Sequence, residues 1–202
     1  MKITPSEHDY NQIYKLMIGS IVPRPIAFVS TVNARGNRNL APFSFFNGVC
    51  SNPPTILFST VIRKDGTHKD TLNNVEATKE FVVNIVSEEI AQQMNIASGE
   101  YPPNVDEFIK SGLTPVPSDV VQPPRVKESM ISMECKLSQI VRIGNGPGGG
   151  CTVFGEIVQI HIVDELFDNF RIDADKLRAI GRMGGPAYTR TRDRFEMVRP
   201  VV

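Results

Sequence analysis

The sequence predicts a mainly β protein with peripheral helices, arranged as an antiparallel barrel. Roughly six segments have the alternating or continuous apolar pattern of strands, whereas helical periodicity is confined to short stretches. The last two strands flank the loop GNGPGGG and are expected to form a hairpin, which pairs them antiparallel. The 202 residues fit one domain, placed over 1–202, that can bury a core without disulfides or metals.

The first strands are predicted from three apolar runs. Residues 25–32 are mostly apolar at both alternating sets of positions, which indicates a central strand covered on both faces. The polar stretch 33–36 ends in glycine and predicts a turn that returns the chain through 39–46. Pro42 lacks a backbone N–H, so we expect an edge or a bulge there, with backbone amides free to face a ligand. Residues 55–61 form a third strand.

The N-terminal segment predicts a short helix. Asp9 is a suitable N-cap, Ile13, Leu16 and Met17 share one face, and Gly19 can end the helix. We expect this helix to act as a lid over one end of the sheet.

Further elements follow in order along the chain. A fourth strand is predicted over 80–86, and three short helices begin with the N-caps Thr71, Ser87 and Asn104 and end near Ala77, Gly99 and Gly112. The proline-rich stretch 113–125 predicts an irregular excursion over the surface. Residues 131–138 alternate as a half-exposed strand, and 151–163 form its hairpin partner.

Composition excludes several classes of protein. Lys plus Arg and Asp plus Glu number 22 each, so no overall field attracts nucleic acid or an anionic membrane. No apolar run has membrane-spanning length. Cys50, Cys135 and Cys151 lack CxxC spacing, and no secretory leader precedes the polar N terminus. We therefore expect a cytoplasmic protein with reduced thiols, with Cys135 as a core residue.

Familiar catalytic motifs are missing or misplaced. Gly144, Gly146 and Gly149 match GxGxxG, but a strand follows them where a dinucleotide-binding turn requires a helix. The three histidines have no partners at metal-ligand spacing, so no metal site is expected. No GxSxG elbow is present, so acyl chemistry has no support.

The stretch from Val22 to Thr71 has the composition of a flavin mononucleotide site. Phe43, Phe45 and Phe46 offer aromatic surface, and amide side chains lie between them. Beyond the next strand come cations, hydroxyls and the start of a helix, whose free N–H groups and partial positive charge suit a phosphate. The spacing of these cations, hydroxyls and helix start fits an ordinary capped surface helix with basic neighbours equally well.

Several ordered blocks of the sequence carry a family resemblance. They are PRPIAFVST, NLAPFSFFNGV, NPP before a strand ending in FST, KDTLNNV followed by EFVVN, and GRMGGPAY near the end. With this spacing the chain resembles the flavin reductase-like FMN-binding split-barrel proteins, which include flavoredoxin. The resemblance covers nearly the whole chain. It implies an antiparallel split β-barrel that forms a homodimer, with noncovalently bound FMN near the subunit interface.

The resemblance also implies which residues bind the cofactor. The ring is expected against Thr31, Asn39 and the backbone of Ala41, Pro42, Phe43 and Ser44, and the phosphate against Ser59, Thr60, Arg63, Lys69 and Thr71. Arg24, Arg182 and Tyr188 match recurring positions and are candidates for substrate binding. No residue is assigned as catalytic, because the redox chemistry belongs to the flavin.

Three functions remain open at this stage. The first is an NAD(P)H-dependent flavin reductase that passes electrons from NADH or NADPH through FMN to a flavin, a metal complex or a partner protein. The second is a flavoredoxin-like electron carrier without nicotinamide activity. The third is a split-barrel binding module that holds flavin or haem for sensing or storage without turnover.

Overall fold

A computed structural model describes residues 1–201. Its strands are β1 Ala27–Val32, β2 Arg38–Phe43, β3 Phe46–Ser51, β4 Pro54–Val61, β5 Glu80–Ile85, β6 Pro115–Val116, β7 Arg125–Val126, β8 Ile131–Ile143, β9 Gly150–Ile162, β10 Phe167–Asp168, β11 Arg171–Ile172, β12 Ile180–Arg182 and β13 Tyr188–Arg190. Its α-helices are α1 Tyr10–Ser20, α2 Asp70–Thr78, α3 Ala91–Ala97, α4 Glu107–Ser111 and α5 Ala174–Leu177. Short 3-10 turns cover Pro5–Glu7, Glu88–Ile90 and Asp164–Leu166.

One antiparallel sheet of seven strands, in the order β2-β1-β5-β8-β9-β4-β3, forms the body of the molecule. Its two outer strands, β2 and β3, follow each other in the chain and are separated only by Ser44 and Phe45. The N–H of Ser59 donates to the carbonyl of Phe45 at 2.8 Å, which holds this junction to β4. The two edges are thereby brought together, and the mainly β, antiparallel split-barrel prediction is confirmed.

Two apolar cores lie on opposite sides of β1. Phe43, Phe58 and Phe81 fill the barrel interior together with Cys135 and Cys151. A second cluster, which includes Phe28, Leu40, Met94 and Phe108, packs the outer face of β1 and β2 against α3 and α4. Every residue of β1 is therefore buried, as the doubly apolar pattern predicts. The three thiols are free.

The predicted edge position of Pro42 is confirmed without a bulge. β2 pairs only with β1, and its register runs without a shift from Ala27↔Phe43 to Val32↔Arg38. The Leu40 N–H donates outward to a carboxylate of Glu107 at 3.0 Å. Because outward N–H groups alternate along an antiparallel strand, Pro42 occupies an outward position and removes no ladder bond.

Several predicted boundaries are wrong. The return strand 39–46 ends at Phe43, and β3 was not predicted, because its polar residues and Gly48 lack strand periodicity. The N-cap of α2 is Lys69 and not Thr71. The N-cap of α4 is Asp106 and not Asn104, since the Asp106 side chain accepts from Phe108 N–H. Ser87 precedes a 3-10 turn and makes no capping bond.

The N-terminal helix α1 starts after the predicted N-cap Asp9, which forms a capping box with Gln12, but it ends past Gly19, at Ser20. None of its residues is buried, so it does not pack on a core as a lid over the sheet would. Instead it forms one wall of a cavity described below. Within residues 1–201, no helix combines the length and the apolar character needed to cross a bilayer.

Strand β8 differs from the predicted half-exposed pattern. Ser132 and Glu134 are buried, because the irregular segment before β7 covers this face. Backbone N–H groups of Asp119, Val120 and Val121 donate to the Glu134 carboxylate at 2.7–3.0 Å. Burial alone would raise the pKa of Glu134, but these bonds, together with one from His161, outweigh burial and lower the pKa.

Candidate functional site

A narrow groove beside β2 contains most of the residues expected to bind the cofactor. Its walls include Asn39, Ala41, Pro42, Phe43, Arg63, Lys69 and Thr71. The facing wall is the segment that follows α3, here called the 97–101 segment. The groove has a volume of about 60 Å³. Ligand pockets usually measure roughly 300–1,000 Å³, so a flavin needs additional space.

That space lies next to the groove, in a cavity of about 1050 Å³. Arg63, Lys69 and Glu100 line both the groove and the cavity. The remaining wall combines α1 and the residues before it with the junction between β2 and β3 and with the end of β4, and it also carries Lys64 and Asp65. Tyr14 of α1 meets Phe45 edge to face, with ring centroids 6.4 Å apart. The aromatic walls and the two cations therefore belong to one continuous depression.

Both cations are paired with carboxylates. The Arg63 guanidinium lies 3.3 Å from Asp70 and also donates to the carbonyl of His68. The Lys69 ammonium lies 3.4 Å from Glu100. Helix α2 begins directly after Lys69, and its first backbone hydrogen bond runs from Leu72 N–H to the Lys69 carbonyl. The preceding N–H groups of the helix end are open, which adds donors and a partial positive charge.

Side chains behind the groove are held by mutual hydrogen bonds. The Asn39 amide donates to Thr71 Oγ1 at 3.0 Å. Glu107 at the end of the groove is buried, and burial raises the pKa of its carboxyl group. Its bond from Leu40 N–H joins α4 to the edge of β2. The groove is thus built on fixed elements on the β2 side.

Four of the expected phosphate or ring residues lie outside the walls of the groove and the large cavity: Thr31, Ser44, Ser59 and Thr60. The Thr31 hydroxyl oxygen accepts from the amide of Asn74 at 3.0 Å in the interior. Ser59 Oγ is 2.8 Å from the hydroxyl of Thr152 on the neighbouring strand β9. Thr60 is buried. The structure therefore places these hydroxyls in bonds and packing between elements.

Arg24 and Ser44 occupy a buried junction. Arg24 is 3% exposed, and burial lowers the pKa of its guanidinium. It donates to the carbonyls of Ile18, Ile21 and Met183 at 2.6–3.0 Å and to Ser44 Oγ at 3.3 Å. In this structure Arg24 ties the end of α1 to the start of the sheet and to the C-terminal region.

Arg182 and Tyr188 contact each other, but they line a cavity that is separate from the groove and the large cavity. The Arg182 guanidinium lies 4.4 Å from the centre of the Tyr188 ring, in cation–π contact, and donates to the carbonyl of Gly185 at 2.7 Å. Both line a cavity of about 570 Å³ that also contains Glu88 and Arg190. Within this chain they line neither the groove nor the large cavity.

The aromatic surface differs from the one predicted. Phe43 packs against Phe58 in the barrel core, with centroids 5.1 Å apart, and Phe46 packs against the same core. Only Phe45 of the three lines the large cavity among residues 1–201. Tyr10 and Tyr14 of α1 supply the other aromatic walls. Their i, i+4 spacing places them on one helix face and was the signal available in the sequence.

The sequence analysis also missed a cluster of one histidine and two acidic residues, because these residues lie far apart along the chain. Asp119, Glu134 and His161 present ligand atoms that all lie within 4.8 Å of one another. His161 Nε2 is 2.6 Å from a Glu134 oxygen that also accepts from Asp119 N–H. Pairing of β8 with β9 and the covering loop bring them together, which no local sequence spacing reveals.

Known proteins resemble this chain over its full length. An uncharacterized protein from Aquifex aeolicus is 46% identical, and the match covers 94% of this chain and 95% of that protein. Nitrilotriacetate monooxygenase component B from Bacillus cereus has a similar structure, with a TM-score of 0.93, 39% identity and 98% of each chain covered.

A second solved structure is 2-nitrobenzoate 2-nitroreductase from Pseudomonas fluorescens. It is 35% identical, with a TM-score of 0.89, and the match covers 99% of this chain and 96% of that one. The family model described as "Flavin reductase like domain" matches residues 18–181, which include the groove, Arg63 and Lys69, but only the last three residues of α1. The chain therefore belongs to the flavin reductase-like domain family.

Proposed function

We propose that this protein is an FMN-binding oxidoreductase that takes electrons from NADH or NADPH and passes them to a flavin, a metal complex or a partner protein. Family membership implies a flavin cofactor and an oxidoreductase. The observation that best supports FMN is that Arg63 and Lys69 border both the groove and the aromatic cavity. A phosphate at these cations leaves the ring of the same ligand within reach of the cavity.

The donor set suits a phosphate monoester. Arg63 provides a planar fork of N–H groups, Lys69 provides a point charge, and the start of α2 provides backbone donors. All three lie on short connections between β4 and α2, so the barrel fixes their spacing. Asn39 and Thr71, already bonded to each other, support the groove from the β2 side.

The large cavity suits the ring system. Its volume matches pockets that hold ligands of this size, and Tyr14 and Phe45 offer flat surfaces. When bound, FMN supplies the chemistry of accepting hydride from a reduced nicotinamide and passing electrons onward. The protein's residues bind and orient it, and no side chain need act as a general acid or base.

We also propose that the protein is a homodimer with the FMN site near the subunit interface. Helix α1 buries none of its residues within the chain, and Leu16, Met17 and Ile21 are exposed. A second copy packed on this helix would cover that apolar surface and complete the cavity wall. Light scattering of the purified protein tests this directly. A protein that is monomeric in solution and binds FMN contradicts the proposed dimer.

The experiment that tests the proposed function is spectroscopic. The purified protein, loaded with FMN, is mixed with NADH or NADPH without oxygen, and the flavin absorbance is followed. We expect binding of FMN and rapid bleaching by at least one nicotinamide. Failure to bind FMN contradicts the cofactor assignment. Binding with bleaching only by a reduced carrier protein contradicts the nicotinamide-dependent reaction and favours an electron carrier.

A further inference from the structure

The acidic residue beside Arg63 and Lys69 is exposed, and its ion pair is expected to add little to the stability of the fold. Glu100 lies 3.4 Å from the Lys69 ammonium, and its side chain is 78% exposed. It belongs to the 97–101 segment, which forms one wall of the groove. That segment restricts the groove to about 60 Å³. Glu100 therefore holds the position on Lys69 that a phosphate oxygen would need.

Asp70, the carboxylate paired with Arg63, is less free to move than Glu100. Asp70 faces Arg63 at 3.3 Å, but it is the first residue of α2, where a negative charge also stabilises the helix end. Its position is set by the helix. Glu100 follows α3 on a turn and can swing into water at little cost. Of the two, Glu100 is the one that an incoming anion can displace.

We propose that Glu100 is an internal competitor for the phosphate of FMN, which lowers FMN affinity and makes the bound flavin exchangeable. This rests on the proposed FMN site. When phosphate binds, Lys69 exchanges its carboxylate partner for a phosphate oxygen. When FMN leaves, Glu100 pairs with Lys69 again, which offsets part of the loss of the phosphate contact. Easier dissociation of FMN suits a protein that releases its flavin as part of its function.

The test is the substitution Glu100→Gln, which keeps the shape and removes the charge. Binding is measured by quenching of flavin fluorescence, and dissociation by stopped flow. Because an exposed ion pair contributes little, we expect the Kd for FMN to fall by about 2- to 5-fold, with slower dissociation. The gain is expected to shrink as salt rises, since these groups face solvent. Riboflavin, which lacks the phosphate, should bind equally to both proteins.

Two matched variants separate competition from a general field effect. Glu156→Gln removes the same charge from an exposed position on β9 that lines neither cavity, and it should leave FMN affinity unchanged. In a Lys69→Ala background, Glu100→Gln should have no effect, because the contested partner is gone.

Specific outcomes would overturn the proposal. The first is an FMN affinity that Glu100→Gln leaves unchanged. The second is an equal increase in riboflavin affinity, and the third is an increase in FMN affinity that persists in the Lys69→Ala background. Each leaves wild-type FMN binding intact, so it is distinct from failure of the proposed function, which would appear as a wild-type protein that does not bind FMN.

Discussion

Replacement of Lys69 by methionine tests the phosphate site with little disturbance to the fold. Methionine keeps much of the apolar stem and removes the charge. The Lys69 backbone still accepts the first bond of α2. A cation at the start of a helix opposes the helix dipole by about 0.3–1 kcal/mol, so its removal should not destabilise α2. Thermal unfolding should therefore be nearly unchanged.

The size of the effect follows from the two partners of Lys69. A charge-assisted bond to phosphate contributes about 1.5–3 kcal/mol. The pair with Glu100, which is lost when FMN binds, contributes about 0.2–1 kcal/mol. The net loss in the variant is about 0.5–2.8 kcal/mol, or roughly 2- to 100-fold in the Kd for FMN.

The assay is titration of the apoprotein with FMN and, separately, with riboflavin. Lys127→Met, an exposed lysine outside the groove and the large cavity, serves as the control. Lys69→Met should weaken FMN binding and leave riboflavin binding unchanged. An FMN affinity equal to that of the wild type, or an equal loss for both flavins, would refute the assignment of Lys69 to the phosphate.

Three further predictions concern the scaffold. Glu107→Ala should lower the free energy of unfolding by about 1–3 kcal/mol, because it leaves a buried N–H without an acceptor, and chemical denaturation measures this. The pKa of Glu134 lies below its ordinary value of 4.5, so the ionised carboxylate stabilises the fold above pH 4.5. This contribution is lost as the pH falls through the lowered pKa. Glu134→Gln should therefore make the free energy of unfolding depend less on pH in this range. Gly155→Ala would place a Cβ 2.3 Å from the buried Phe81 ring and should cost about 1–3 kcal/mol in the same denaturation assay, whereas Gly150→Ala, with no atom within 4 Å, should cost less.

The sequence predicts those parts of the fold that depend on local pattern. The buried strand β1 and the hairpin of β8 with β9 follow from apolar periodicity and turn residues, and both are present. The predicted Asp9 cap is also present, because capping is decided within four residues. Strand β3 was missed because its pairing with β4, and not its own composition, makes it a strand.

The relative positions of the candidate site residues depend on tertiary contacts that the sequence does not show. Arg63, Lys69 and Asn39 line the same groove, and their assignment to the cofactor stays a prediction. Thr31 and Ser59, by contrast, bond to neighbouring elements, and no periodicity shows which hydroxyl finds such a partner. The burial of Glu134 likewise depends on a loop that covers it from a distant part of the chain.

The barrel closure explains why the groove and the cavity adjoin. Two residues, Ser44 and Phe45, join the outer strands β2 and β3, so the edge of β2 lies beside β4. The chain leaves β4 at Val61 and reaches α2 at Asp70, and this connection carries Arg63 and Lys69. Both cations line the same cavity as Phe45 of the junction, whose ring meets Tyr14 of α1 edge to face. A charged groove and an aromatic wall thus meet where the sheet closes, and lengthening the two-residue junction should separate them and weaken flavin binding more than stability.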